Sequence, residues 1–251
     1  MAVELLKGVS PDALSHDALR NWERGKIVFS SYGREADILT STTGAGAGRL
    51  FGYEGQMEQG GGAPSPIFTA DGGVQLLTAA AAGYRSFSFG KAATSGSLGP
   101  FQYASGRAIR IKIRAALSRV AEGAFGFGLA TGGAAVGDII GTPLSDMIYV
   151  GVVSALAKPL AMLRAASGSQ QTIVPTTIDE GTLVNAKEYV FGLVVRGGRV
   201  QLSIDDKVFV DEAVTWAIPT ARLSPFISVR TPDAVQTALS VYEFSITQAN
   251  G

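Results

Sequence analysis

The sequence predicts an all-β, antiparallel sandwich that follows an N-terminal helix and an extended, glycine-rich arm. Between Tyr189 and Val210 apolar and polar residues alternate, so Val200, Leu202 and Ile204 share one face of a strand. Gly197–Gly198 supplies the two positive-φ positions of a tight hairpin turn. Helical periodicity is scarce after residue 25. Together these features favour antiparallel strands in two packed layers.

The N-terminal helix is predicted to begin at Ser10–Asp12, which gives a cap, a proline at the first helical position and an acid in the first turn. Gly25 can end it. Leu14, Ala18 and Trp22 share one face at a spacing of four. Because a helix this short is marginal in water, we expect that face to dock on the sandwich or on a neighbouring subunit.

The arm is predicted from its composition. Lys26–Tyr32 is a possible strand, and the stretch Thr40–Pro66 is crowded with glycine, which is typical of a flexible segment in a lone domain. We therefore divide the chain into a helix and arm, residues 1–66, and a sandwich, residues 67–251. On this division, deleting residues 1–66 leaves a soluble sandwich.

The sandwich strands are predicted from alternating or continuously apolar runs between turn signals. Asp205–Lys207 makes one of the turns, and no repeat of fixed period indicates a propeller or solenoid. Besides the hairpin above, the predicted strands are Gly73–Ala80, Tyr84–Phe89, Ala108–Leu117, Ala124–Thr131, Met147–Ser154, Leu160–Ala166, Phe226–Thr231 and Leu239–Thr247.

Composition excludes several classes of function. The chain has 21 basic and 21 acidic residues, and a chain without net charge is not typical of a dedicated nucleic-acid binder. It has no cysteine, which excludes disulfides, thiol catalysis and cysteine-ligated zinc. The N-terminus lacks a secretory signal pattern. The longest apolar run, Met147–Leu163, is interrupted by Lys158–Pro159, so we expect two buried strands and no membrane span.

The order of strands and turns resembles a known family. A basic alternating strand comes first, then Phe-Gly-Phe-Gly-Leu, then a strand, a glycine turn and Val-x-Leu-x-Ile-Asp, and finally a hairpin that Leu-Ser-Pro-Phe opens. This order is similar to that of the concanavalin A-like lectin/glucanase jelly roll, which includes laminin-G-like modules. The resemblance covers Phe68–Thr247. Asp206 departs from it, since such domains often carry glycine after Ile-Asp.

Enzymes of that family carry Glu-x-Asp-x-Glu along one strand, because two carboxylates must flank the glycosidic bond about 5 to 10 Å apart. The nearest approach here is Glu54 and Glu58, roughly 13 Å apart along a strand and without the middle acid. Asp179–Glu180 and Asp211–Glu212 are adjacent pairs whose members would point to opposite faces. We therefore expect no catalytic residues.

Other catalytic and ligand-binding chemistry is also unsupported. His16 is the only histidine, which excludes a Ser-His-Asp triad within the sandwich and a histidine-rich metal site. The glycines of Gly44–Gly48 are not followed by a helix, unlike a dinucleotide-binding loop. Asp138, Asp146 and Asp205–Asp206 lack the order of a calcium loop. We expect neither a metal nor a cofactor.

Two strands suggest binding surfaces. Arg110, Lys112 and Arg114 alternate with isoleucines, which places three cations in a row on an outer face. The row could meet an acidic partner, or be a solvated face that discourages wrong strand pairing. Phe125–Leu129 puts bulk on one face and only glycine on the other. That bare face indicates close packing within the domain, a ligand platform or a subunit contact.

The resemblance implies a non-enzymatic structural protein of a tailed-phage particle, a capsid decoration or cement protein made in the host cytoplasm. Its partners would be the major capsid protein or neighbouring virion subunits, through Leu14, Trp22, Arg110, Lys112 and Arg114. The hydrophobic fraction of 46% suggests more apolar surface than one sandwich buries, which favours a homo-oligomer or another assembly. The alternative is a carbohydrate-binding, lectin-like module on a tail or cell surface. A glycosidase with unusual acids is a third hypothesis.

Overall fold

A computed structural model describes the chain in segments of strand and turn. The described residues are 26–32, 46–50, 53–59, 67–68, 73–80, 82–89, 101–103, 107–131, 146–153, 157–164, 170–175, 182–215 and 218–249. The predicted N-terminal helix, with Leu14, His16 and Trp22, lies outside them, as do Asp138 and Asp179–Glu180. Within the described residues no helix is long and apolar enough to cross a membrane.

Seventeen strands lie within the described residues, and every predicted strand is among them with bounds shifted by a few residues. They are β1 (Lys26–Tyr32), β2 (Gly46–Leu50), β3 (Tyr53–Gln59), β4 (Ile67–Phe68), β5 (Val74–Leu77), β6 (Gly83–Phe89), β7 (Phe101–Gln102), β8 (Ile109–Leu117), β9 (Ala124–Ala130), β10 (Met147–Val152), β11 (Pro159–Arg164), β12 (Gln170–Ile173), β13 (Glu188–Arg196), β14 (Arg199–Ile204), β15 (Lys207–Ala213), β16 (Arg222–Thr231) and β17 (Ala238–Ala249).

The strands form two antiparallel sheets. The first sheet has the order β15-β14-β13-β8-β17-β5-β4, and β1 also pairs with β17. The second has the order β12-β11-β10-β9-β16-β6-β3-β2, and β7 also pairs with β16. The chain passes between the sheets from β8 to β9, from β15 to β16 and from β16 to β17. These crossings tie the two layers into one sandwich and confirm the all-β, antiparallel prediction.

The core lies between the sheets, is mainly aliphatic, and includes aromatic contacts that cross from one sheet to the other. Phe127 of β9 packs on Phe244 of β17 with ring centroids 5.2 Å apart, and Phe125 packs edge-on against Phe191 of β13 at 5.1 Å. Each of these contacts joins one sheet to the other. The alternation along β13 and β14 sends every second side chain into this core, so burial of apolar area stabilises the pairing of the two layers.

The glycines of β9 allow a close approach between strands. Phe125, Phe127 and Leu129 are fully buried on the inner face. On the other face the Tyr149 ring would lie 3.2 Å from a Cβ placed at Gly126, and a Cβ at Gly128 would overlap the carbonyl oxygen of Ile148. The bare face of β9 is therefore filled by the neighbouring strand β10, which confirms close packing within the domain.

Strands from the predicted arm belong to the sheets. β1 pairs with β17 along its whole length, and β3 pairs with β6. Leu50 and Met57 lie in the main core with exposures of 1% and 2%. The predicted strand Lys26–Tyr32 is confirmed. The boundary at residue 66 thus does not separate β1, β2 and β3 from the sandwich.

The turns between β13 and β14 and between β14 and β15 have the same backbone hand. Gly197 and Gly198 have φ values of 56° and 74°, and Asp205 and Asp206 have φ values of 49° and 64°. A side chain in this left-handed region is strained, but aspartate tolerates it better than most residues because it can bond locally. Here the stabilising bond comes from a neighbouring strand, since Asp205 Oδ1 accepts a hydrogen bond of 2.8 Å from the Val190 amide of β13. The predicted turn therefore forms without glycine.

One end of the sandwich is held by an ion pair between two loops that cross between the sheets. Arg119, after β8, donates from both terminal nitrogens to the carboxylate of Asp233, after β16, at 2.8 and 2.7 Å. The same carboxylate accepts from Thr231 Oγ1 at 2.8 Å and from the Val235 amide at 3.1 Å. Because Asp233 has four donors, its charged form is strongly favoured.

The pH dependence of stability should report this ion pair. Hydrogen bonds from Arg119 and Thr231 hold the pKa of Asp233 well below its usual range. A depressed folded-state pKa stabilises the fold above the ordinary aspartate value of about 4, and that contribution is lost as pH falls below it. Asp233→Asn should therefore lower the urea midpoint most at pH 7, and the deficit should shrink steadily towards pH 2.5.

Glu212→Gln is the matched control, because Glu212 is exposed and forms no ion pair with any described residue. It should leave the urea midpoint nearly unchanged at every pH. A deficit for Asp233→Asn of the same size at pH 7 and pH 2.5 would contradict the role given to the ionised carboxylate.

Candidate binding face

The three predicted cations lie side by side on the outer face of β8. Arg110 and Lys112 are exposed and Arg114 is half-buried, while the isoleucines between them are buried. β8 lies in the middle of the first sheet, between β13 and β17. Protection against wrong edge pairing therefore does not explain the row, since that device applies to edge strands. The partner-binding role of these residues stays a prediction.

Two of the three cations already have acidic partners within the chain. Lys112 Nζ lies 3.2 Å from Asp206 Oδ1, in the turn between β14 and β15. Arg114 lies 3.1 Å from Glu188 and 4.0 Å from Glu243. These exposed pairs contribute little to stability. They do neutralise the charge at this end of the row.

Arg110 is in a different environment. No described carboxylate lies within ion-pair distance of it, and in the strand register it stands between Val194 of β13 and Thr247 of β17. Arg196 follows Val194 by two residues on the same face, and it lies directly opposite Arg199 of β14. Arg110, Arg196 and Arg199 therefore form a diagonal across three strands, which we call the arginine cluster.

Sequence reasoning missed Arg196 and Arg199, although their signal was available. The predicted two-residue turn at Gly197–Gly198 fixes the register of its hairpin and so places the residues on either side opposite each other. Both are exposed. Arg199 donates to Asp211 Oδ1 at 2.8 Å, whereas Arg196 has no ion pair with a described residue.

Polar, half-buried side chains surround the cluster on the same face: Gln201 and Ser203 on β14, and Ser245 and Thr247 on β17. Gly192, in the middle of β13, adds no side chain to this face, and the Ser203 side chain lies where its Cβ would be. We call the surface formed by these residues and the arginine cluster the outer polar face. It offers hydrogen-bond donors and acceptors on a rigid strand scaffold.

The outer face of the second sheet has the opposite character. Its side chains form a buried apolar cluster of Ala130, Met147, Tyr149, Leu160, Met162 and Phe226. Burial raises the pKa of Tyr149, and its hydroxyl has no hydrogen-bond partner in the described part of the chain. Because Tyr149 covers the glycines of β9, these strands offer no exposed ligand platform there.

The Asp211–Glu212 pair has no arrangement suited to glycoside hydrolysis. Asp211 accepts hydrogen bonds from Gln201 and Arg199, which hold its pKa below the usual range. Asp211 and Glu212 are consecutive residues of β15, so their side chains leave opposite faces of the strand and do not flank one glycosidic bond. Among the residues with described positions, no three His, Cys, Asp or Glu side chains group to hold a metal ion.

No protein-family model and no curated protein sequence matches this chain. Solved structures do match. The binding domain of botulinum neurotoxin DC, in complex with rat synaptotagmin II, has 12% identity and a TM-score of 0.53 over 89% of this chain and 48% of its own.

Two further structures match over similar shares of this chain. The botulinum neurotoxin serotype D ligand-binding domain, in complex with N-acetylneuraminic acid, has 10% identity and a TM-score of 0.52 over 90% of this chain and 48% of its own. The Bacillus licheniformis β-glucanase has 10% identity and a TM-score of 0.51 over 87% of this chain and 97% of its own. The chain thus spans about half the length of the toxin structures and nearly all of the glucanase. At this identity the likeness shows the fold alone: the chain is an antiparallel jelly-roll β-sandwich like these structures, the fold that its strand order predicted.

Proposed function

We propose that this chain is a carbohydrate-binding, lectin-like module that does not transform its ligand. The observation that carries the proposal is the jelly-roll sandwich itself, matched along 87% of the chain by a β-glucanase and along 90% by a toxin domain in complex with N-acetylneuraminic acid. The toxin match covers 48% of that structure. The proposal therefore takes over the class of ligand and not the position of the toxin's site.

The outer polar face is the surface that suits this function. Sugar hydroxyls need donors and acceptors in a fixed arrangement. Gln201 and Ser203 on β14, and Ser245 and Thr247 on β17, provide them on either side of β13 and β8. Strand positions need little ordering on binding, which favours affinity for a polar ligand. Gly192 adds no side chain of its own to this face, and the Ser203 hydroxyl that lies over it is one of these polar groups.

A glycan array with the full chain tests the proposal. We expect saturable binding of at least one class of glycan, with one site per chain by calorimetry and no release of reducing ends. Gln201→Ala combined with Ser245→Ala should weaken binding at least tenfold. Val235→Ala, at an exposed position in the loop before β17, should leave affinity unchanged. A blank array at high protein concentration would contradict sugar binding, and turnover would contradict the absence of catalysis.

The capsid-decoration role that the sequence suggested stays a prediction. Quantitative mass spectrometry of purified particles from the source lysate would test it. Hundreds of copies in proportion to coat protein would support decoration, and a handful of copies would move the module to the tail. Absence from particles would contradict a virion role.

A further inference from the structure

We propose that the arginine cluster binds the carboxylate or sulfate groups of an acidic polysaccharide. This inference rests on the proposed function, because it takes the outer polar face as the sugar-binding surface. It adds the chemical class of the ligand and the residues that select it: Arg110, Arg196 and Arg199.

The arginine cluster places like charges next to one another. Arg196 and Arg199 are direct cross-strand partners. Arg110 is the direct partner of Val194, so it stands diagonal to Arg196. Direct neighbours on a sheet face lie about 5 Å apart and diagonal ones about 7 to 8 Å apart, and like charges directly opposite each other are destabilising. A stabilising charge pattern would place an acid at one of these positions, so an anionic ligand is the natural counterpart.

The cations of the outer face differ in whether they have acidic partners. Lys112 and Arg114 are neutralised by Asp206, Glu188 and Glu243, and Arg199 is paired with Asp211. Arg110 and Arg196 have no such partner in the described part of the chain. The uncompensated positive charge is therefore confined to one end of the outer polar face, and an acidic group would be drawn to that end.

The guanidinium groups of the cluster suit an oxyanion. A guanidinium presents two parallel N–H donors that match the oxygens of a carboxylate or sulfate. Asp211 holds Arg199 in place, because its carboxylate contacts the Nε and Nη2 atoms of the arginine. Val194 lies between Arg110 and Gln201 in the register and is half-buried, so it forms an apolar floor beneath a sugar ring. The arrangement suits a charged sugar unit on a polar and partly apolar surface.

A nucleic acid fits the surface less well. Binding to a phosphate backbone needs a track of cations and is typical of basic proteins, whereas this chain has 21 basic and 21 acidic residues. The arginine cluster is short, and the next cation along β8, Lys112, is already paired. One or two acidic groups match it.

Affinity electrophoresis of the full chain tests the inference. Gels contain polygalacturonate, which carries carboxylates, or dextran sulfate, which carries sulfate esters, or uncharged dextran. We expect retardation by at least one acidic polymer, and which polymer acts distinguishes the two anionic groups. Arg110→Gln combined with Arg196→Gln should weaken that binding at least tenfold. Arg196→Lys keeps the charge without the fork, so it should give an intermediate loss.

Two matched controls separate the site from general charge. Lys112→Gln removes a paired cation from the same face, and Arg222→Gln removes an exposed arginine from β16 of the second sheet. Both variants should retain binding within about twofold, because neither removes a bidentate contact to the ligand. The double variant should unfold at the same temperature as the unaltered chain or higher, because it relieves like-charge repulsion.

The outcomes separate this inference from the proposed function. If neither acidic polymer retards the chain while neutral array glycans still bind, the inference is wrong and the proposed function stands. If the array is blank as well, both are wrong. Equal losses in the double variant and in the controls, or equally tight binding of single-stranded DNA, would show a non-specific charge effect and overturn the inference.

Discussion

Replacing Gly128 by alanine should lower the free energy of unfolding by about 3 kcal/mol, although the change adds a single methyl group. The new Cβ would overlap the carbonyl oxygen of Ile148 and lie 2.6 Å from the Cα of Tyr149. Both are backbone atoms of β10, which pairs with β9 on one side and with β11 on the other and is buried throughout. The strand cannot move away without breaking a ladder. Urea unfolding monitored by tyrosine and tryptophan fluorescence measures the loss.

Gly192→Ala is the control for this prediction. Gly192 also lies in an interior strand, but its Cβ would meet only the side chain of Ser203, which is half-buried and can rotate. We expect a loss under about 1 kcal/mol, partly offset by the lower backbone entropy of alanine in the unfolded chain. Similar losses of unfolding free energy for the two variants would mean that the β10 backbone shifts as readily as the Ser203 side chain rotates. That result would contradict the close packing of β9 against β10.

The comparison of these glycines shows what the sequence could predict. The alternation Phe-Gly-Phe-Gly in β9 predicts one bulky and one bare face, because side chains in a strand alternate regardless of its neighbours. Which strand fills the bare face depends on strand order, which a local pattern does not encode. The approach of β10 and the position of Tyr149 over Gly126 therefore became visible only in the folded chain.

For the outer polar face, too, the sequence could predict some features and not others. Alternation in β8 predicted the row of Arg110, Lys112 and Arg114, and the structure places them as expected. Their acidic partners were not predictable, since Asp206 is 94 residues from Lys112 and Glu188 is 74 residues from Arg114. The apposition of Arg196 and Arg199 was predictable in principle, because a two-residue turn sets that register locally.

Glycine content misled the prediction for the arm. A glycine-rich stretch indicates flexibility only when nothing packs against it. At Gly55, a Cβ would overlap the carbonyl oxygen of Ser88 and lie 2.5 Å from the Phe87 ring. This glycine permits the close pairing of β3 with β6, so here tertiary contact overrides composition.

Deletion of residues 1–66 should abolish cooperative folding. The deletion removes β1 from β17 and the β2–β3 hairpin from β6, which exposes an unpaired edge in each sheet. It also removes Leu50 and Met57 from the core, and truncation of either side chain alone costs about 2 to 5 kcal/mol. Those losses approach the whole stability of a typical domain. Thermal and urea unfolding, with sedimentation to detect aggregation, measure the effect.

Deletion of residues 1–25 is the matched control, because it leaves every described strand in place. It should retain a cooperative transition, whereas Leu50→Ala combined with Met57→Ala in the full chain should reproduce much of the loss caused by the longer deletion. If the chain without residues 1–66 stayed soluble and unfolded cooperatively at the original midpoint, the three strands would be dispensable and the segment could act as a separate arm. If the chain without residues 1–66 fails to fold, a loss of partner binding by that chain reports the collapse of the sandwich. Only the deletion of residues 1–25 can then test whether the N-terminus contacts a neighbouring subunit.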